Sequence, residues 1–84
     1  MAAQVSVELF GSLTQFTGGA RTVTVEAATI RDLLARLAEA HPGLAPQLDR
    51  GVSVSIDGKI YTEALFQPIS PDSEVVLLPR IAGG

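Results

Sequence analysis

The sequence predicts an α+β domain in which one amphipathic helix covers one face of one sheet, with its elements in the order ββαβββ. Three observations carry that prediction. Several short segments alternate apolar and polar residues with a period of two. A single segment repeats its apolar residues with a helical period. Glycine and proline punctuate the chain between them. With 84 residues, 46% of them hydrophobic, the chain can hold one core, near the size at which a core alone suffices. A deep substrate pocket does not fit beside such a core, so any chemistry is expected at an exposed feature or inside a partner's pocket.

The first strand is expected where Val5, Val7 and Leu9 alternate with Ser6 and Glu8. The stretch GSLTQFTGGA, with Gly11, Gly18 and Gly19, reads as a loop or tight turn. In RTVTVE, Val23 and Val25 share one face while Thr22, Thr24 and Glu26 share the other, which gives a second strand and a hairpin. Ile30, Leu33, Leu34, Leu37 and Ala38 then fall on one stripe of a helix. Thr29 is placed to cap that helix, Asp32 lies at the positive end of its dipole, and Pro42 and Gly43 end it. LAPQLDRG is a connection with a short helical turn.

Val52, Val54 and Ile56 form the next inward face. Asp57-Gly58 marks a tight hairpin because both residues tolerate positive φ, and KIYT is the return strand. EALFQPISPDS is irregular, broken by Pro68 and Pro71. EVVLL is apolar at both parities, as expected of a strand buried on both sides or of one covered on one side and used for binding on the other. Nothing after Leu78 is expected to find a partner within the domain. The chain therefore divides into a domain over 1–79 and an exposed tail over 80–84.

Composition removes several classes of function. There is no cysteine, which excludes disulfides, thiol catalysis, zinc ribbons and iron–sulfur clusters. Net charge is −3 with both signs scattered, so no basic stripe exists for nucleic acid or an anionic membrane. The N-terminal residues lack a basic start and a long apolar run, so neither a signal peptide nor a membrane span is expected, and the expected location is the cytoplasm.

The informative feature is the end of the chain, EVVLLPRIAGG. Average glycine use of about 7% makes a terminal Gly-Gly a chance event in roughly one chain in two hundred. A frayed end is the plain reading. Context argues for more, because the pair follows an apolar strand, Pro79 and a short link containing Ile81. Glycine lacks a Cβ, fits a narrow channel and leaves its carbonyl open to attack. Pro79 removes a backbone donor and stiffens the exit from the sheet, so that the tail projects. An α-carboxylate is ionised at pH 7 and is a poor electrophile. Adenylation converts it to a mixed anhydride, and a sulfur donor that replaces the AMP leaves a thiocarboxylate able to deliver sulfur.

VELFGSL near the start, SIDGKI in the middle and EVVLLPRIAGG at the end together resemble the ubiquitin-like sulfur carriers of the MoaD/ThiS type, which include the small subunit of molybdopterin synthase and the thiamine-pathway carrier. The resemblance covers nearly the whole chain. It implies a β-grasp fold, with a mixed sheet on one main helix and the first and last strands side by side in parallel. It also implies that an activating enzyme related to ubiquitin-activating enzymes, using its own ATP and magnesium, adenylates Gly84, with Gly83 as the required neighbour. The carrier binds no cofactor itself and acts as a cosubstrate. Its second partner is a sulfur-accepting synthase subunit. Leu77, Leu78, Pro79 and Arg80 stand where molybdopterin-type carriers commonly have aromatic residues and two prolines. The tail is nearer that group than the shorter thiamine carriers, which lack the proline. Arg80 lies four residues before the end, where ubiquitin also has an arginine.

By the same resemblance, Phe10, Val76 and Leu78 fall on the sheet face away from the helix, where such carriers dock their partners, and Pro79, Arg80 and Ile81 continue that surface. The outward parity of Phe10 relative to Val7 and Leu9 agrees with standard alternation, and Val76 shares the parity of Leu78. The remaining polar residues have structural readings. His41 ends the helix, and without a second histidine or any cysteine it suggests no metal site. Asp57 serves the turn. Lys59 is the only lysine, which makes the chain a poor acceptor of isopeptide bonds.

Three functions remain in view. The first is a sulfur carrier feeding a biosynthetic step, with molybdopterin placed first. The second is a ubiquitin-like modifier whose adenylate is attacked by a target lysine. The third is an interaction module whose glycines are incidental.

Overall fold

The computed structural model describes residues 3–62 and 64–79. Five strands and two helices follow in order: β1 Ala3–Leu9, β2 Thr22–Ala27, α1 Ile30–Ala40, α2 Ala45–Arg50, β3 Val52–Ile56, β4 Lys59–Thr62 and β5 Val75–Pro79. They build one five-stranded sheet in the order β2-β1-β5-β3-β4. β1 and β5 run parallel at its centre, and the other neighbours are antiparallel. This is the mixed sheet, with its parallel pair of first and last strands, that the resemblance implies.

Alternation places the core. Val5, Val7 and Leu9 of β1, Val23 and Val25 of β2, Val54 of β3, and Val75 and Leu77 of β5 are all buried on the face that α1 covers. Ile30, Leu33 and Leu37 of α1 meet them, with Leu34 partly buried beside them. Thr29 caps α1 as its spacing predicts: its hydroxyl oxygen accepts from the Asp32 N–H at 3.3 Å. Asp32 Oδ2 reaches back to accept from the Ala28 N–H, also at 3.3 Å, so one orphan donor of the first turn and the N–H just ahead of the cap are satisfied. The helix stops at His41, one residue before Pro42.

Asp57 (φ 52°) and Gly58 (φ 86°) both adopt the left-handed conformation, and they join β3 to β4 in two residues. This turn fixes the register of β4, with Ser55 opposite Ile60 and Ser53 opposite Thr62.

Two expectations need correction. The stretch after β1 is more than a loop, since Gly11–Phe16 forms a 3-10 helix. Leu13 is buried beneath it, and the Thr17 hydroxyl lies 3.1 Å from the Thr14 carbonyl and 2.8 Å from that of Ala20. Burial of Leu13 winds the segment tightly enough to bring that side chain into the core, which composition alone does not reveal. The connection after α1 carries the short helical turn expected of it, as α2, preceded by a 3-10 turn, Pro42–Leu44, that buried Leu44 anchors. Finally, the expectation that nothing beyond Leu78 has a partner fails at Pro79. This residue ends β5 and stands opposite Val52, since a ring without an N–H is tolerated at a strand end.

Candidate partner-docking face

The apolar run Val75-Val76-Leu77-Leu78 resolves into two faces. Val75 and Leu77 are fully buried under α1, while Val76 and Leu78 are only half-buried on the opposite side of the sheet. β5 lies between β1 and β3, so a docking partner would meet these two residues in the middle of the face and not at an edge.

The register shows what surrounds them. Val76 sits between Glu8 of β1 and Ser55 of β3, and Ser55 is opposite Ile60 of β4. Leu78 is opposite Ser53, whose hydroxyl lies 3.0 Å from that of Thr62. Phe10 follows β1 with extended backbone, and its N–H donates to the Leu77 carbonyl at 2.9 Å, which fixes it beside the end of β5. Phe10 is 54% exposed and Ile60 61% exposed. An open groove beside Phe10 is completed by Glu8, Thr14, Arg21 and Val76. The outcome is a face on which apolar side chains from three parts of the chain are interspersed with hydroxyls, Ser55 standing between Val76 and Ile60, with Glu8 beside Val76 and Arg21 bordering the groove at Phe10. Exposed apolar side chains interspersed with polar ones have the make-up of a protein-binding surface.

Of the residues singled out in the sequence, Phe10, Val76, Leu78 and Pro79 lie together at the same end of the sheet. Arg80, Ile81, Gly83 and Gly84 lie outside the described residues. Ile60 is the member that sequence reading missed. Its signal was available, because a two-residue turn at Asp57-Gly58 puts Ile60 opposite Ser55 and therefore on the outward face.

The other polar candidates take structural roles. Asp57 Oδ1 accepts from the Glu74 N–H at 2.8 Å. Lys59 lies over the Tyr61 ring, with Nζ 5.4 Å from the centroid. Among the described residues no group of His, Cys, Asp or Glu could hold a metal ion, and no helix is long and apolar enough to cross a membrane.

The family model described as the ThiS family matches residues 7–84. The structure is similar to that of SAMP1 of Haloferax volcanii, a small archaeal modifier protein, at 29% identity and a TM-score of 0.78, covering 98% of this chain and all of that one. It is also similar to a chain of the BexX/CysO complex of Amycolatopsis orientalis, with 23% identity, a TM-score of 0.75, and 95% and 99% of the two chains covered. A third likeness is to a chain of the complex between subunits 1 and 2 of the molybdopterin-converting factor of Helicobacter pylori 26695. There the identity is 23% and the TM-score 0.69, with 98% and 100% covered. No curated protein sequence matches the chain.

Proposed function

The chain belongs to the ThiS family of ubiquitin-like sulfur carriers, and from that premise we propose that it carries sulfur as a thiocarboxylate on Gly84. The observation that carries this reading is the extent of the family match, which runs through Gly83 to the last residue. The Gly84 carboxylate attacks the α-phosphate of ATP in the pocket of an activating enzyme, which supplies the magnesium and releases pyrophosphate. A sulfur nucleophile at the sulfide level then attacks the acyl carbon. The C–S bond forms, AMP leaves with the electrons of the C–O bond, and –COS⁻ remains. The protein is a cosubstrate in this scheme and holds no catalytic group of its own.

The face formed by Phe10, Val76, Leu78 and Ile60 supports the reading, because β5 leads directly from this face into the tail. A partner gripping the face would draw Pro79, Arg80 and Ile81 along its own surface and receive Gly84 in its active site. A sulfur-accepting synthase subunit is the second partner, and molybdopterin formation is the first pathway to test, given the likeness to a chain of the molybdopterin-converting factor complex. The proposed location is the cytoplasm.

The test is mass spectrometry of the chain after incubation with an activating enzyme, Mg-ATP and a sulfide source. The expected product has one oxygen exchanged for sulfur at the C-terminus. A chain lacking Gly84 that still acquires sulfur overturns the proposal. The likeness to small archaeal modifier protein 1 of Haloferax volcanii favours a second reading, in which a lysine amine of a target attacks the same adenylate. Its signature is a Gly-Gly remnant on target lysines, with no sulfur-exchanged terminus.

A further inference from the structure

The charged residues of the domain are sorted by face. Arg31 and Arg36 lie on α1, and Arg50 ends α2, which packs against α1. Lys59 stands opposite Ile56, which is buried on the side that α1 covers, and its Nζ lies over the Tyr61 ring. These four cations are turned away from the face that carries Val76 and Leu78. Arg21 pairs with Leu9 through the Leu9 N–H and shares its inward parity, so from the end of the sheet it borders the groove beside Phe10.

The outer face carries carboxylates instead. Glu8 is exposed on β1, between Thr22 of β2 and Val76 of β5. The β3–β5 ladder runs on through the hydrogen bonds between Asp57 and Glu74, so alternation puts Glu74 on the same side as Val76 and Leu78. Val76 has one carboxylate beside it, from Glu8, and a second two residues back along its own strand. Among the described residues the one ion pair joins Arg36 to Glu39 on α1, so neither of these carboxylates has a counter-charge there.

This arrangement sets a condition on any partner. β5 is the middle strand of the sheet, so a surface that covers Val76 takes water from Glu8 as well. A carboxylate that loses water without gaining a counter-charge opposes docking. Met by a guanidinium or an ammonium group, the same carboxylate selects the partner and speeds encounter.

We propose that the activating enzyme docks on this face with an arginine or lysine set against Glu8, and that Glu8 selects that enzyme among proteins able to cover Phe10, Val76, Leu78 and Ile60. The inference rests on the carrier reading for the identity of the partner. Adenylation of Gly84 opens both the carrier scheme and the modifier scheme, so the activating enzyme is the partner that either scheme requires.

Titration calorimetry against the activating enzyme of the organism that encodes this chain tests the contact, with circular dichroism as the folding control. Glu8→Gln keeps the size of the side chain and removes its charge, and is expected to weaken binding by about tenfold or more. Glu8→Lys sets like charges together and is expected to weaken it by about a hundredfold. Asp49→Asn makes the same change in net charge at an exposed position on α2 and is expected to bind like wild type. Wild-type affinity is expected to fall as NaCl rises, and Glu8→Gln to flatten that dependence. In ATP–pyrophosphate exchange, Glu8→Gln is expected to raise KM and leave kcat unchanged. Glu8→Gln that binds like wild type overturns the proposal. So does equal weakening by Asp49→Asn, a wild type that does not bind, or a Glu8→Gln chain that loses only the sulfur-accepting subunit. Binding that depends on Glu8 with no pyrophosphate exchange upholds this contact and overturns the chemistry at Gly84. Exchange and sulfur uptake indifferent to Glu8 do the reverse.

Discussion

Asp57 and Glu74 bind each other twice: the Asp57 N–H donates to the Glu74 carbonyl at 2.9 Å, and Asp57 Oδ1 accepts from the Glu74 N–H at 2.8 Å. The β3–β4 turn is thereby tied to the entry of β5, the strand that leads to the tail. Asp57→Ala removes the side-chain bond and puts a residue less tolerant of positive φ at 52°. It is expected to cost about 1–2 kcal/mol in urea unfolding, and Asp57→Asn, which keeps an acceptor and tolerates that φ, less than half as much.

Leu77 and Leu78 are neighbours with opposite duties. Leu77 is fully buried, so Leu77→Ala is expected to destabilise by about 2–5 kcal/mol. Leu78→Ala, on the outward face, is expected to cost less than about 1 kcal/mol while weakening partner binding by about tenfold. Chemical denaturation together with titration calorimetry against the activating enzyme checks both.

Thr29→Ala removes the cap of α1 and strands the Asp32 N–H. A loss of about 1 kcal/mol is expected, and Thr29→Ser should recover most of it. Thermal unfolding of the two variants gives the comparison.

Ile60 contributes to the outer face without a core role, being 61% exposed. Ile60→Ser is expected to change stability by no more than about 0.5 kcal/mol. Sulfur delivery to the synthase subunit should slow, measured as the rate of thiocarboxylate consumption, while the chemistry at Gly84 stays intact when sulfide and activating enzyme are saturating.

The sequence by itself determined whatever depends on neighbours along the chain. The inward faces of β1, β2 and β3 followed from alternation, the cap at Thr29 and the stop at Pro42 from helix-end chemistry, and the Asp57-Gly58 turn from its tolerance of positive φ. Each is a local backbone preference, complete within a few residues. Only the tertiary structure decided the rest. The 3-10 helix over Gly11–Phe16 exists because Leu13 has a core to enter. Phe10, Val76, Leu78 and Ile60 come from distant parts of the sequence and share one face only because β5 inserts between β1 and β3. Long-range pairing selects which strand sits beside which, and no local pattern encodes that choice. A sequence can mark a residue as outward, but only the assembled sheet sets whether it meets solvent singly or as part of a surface.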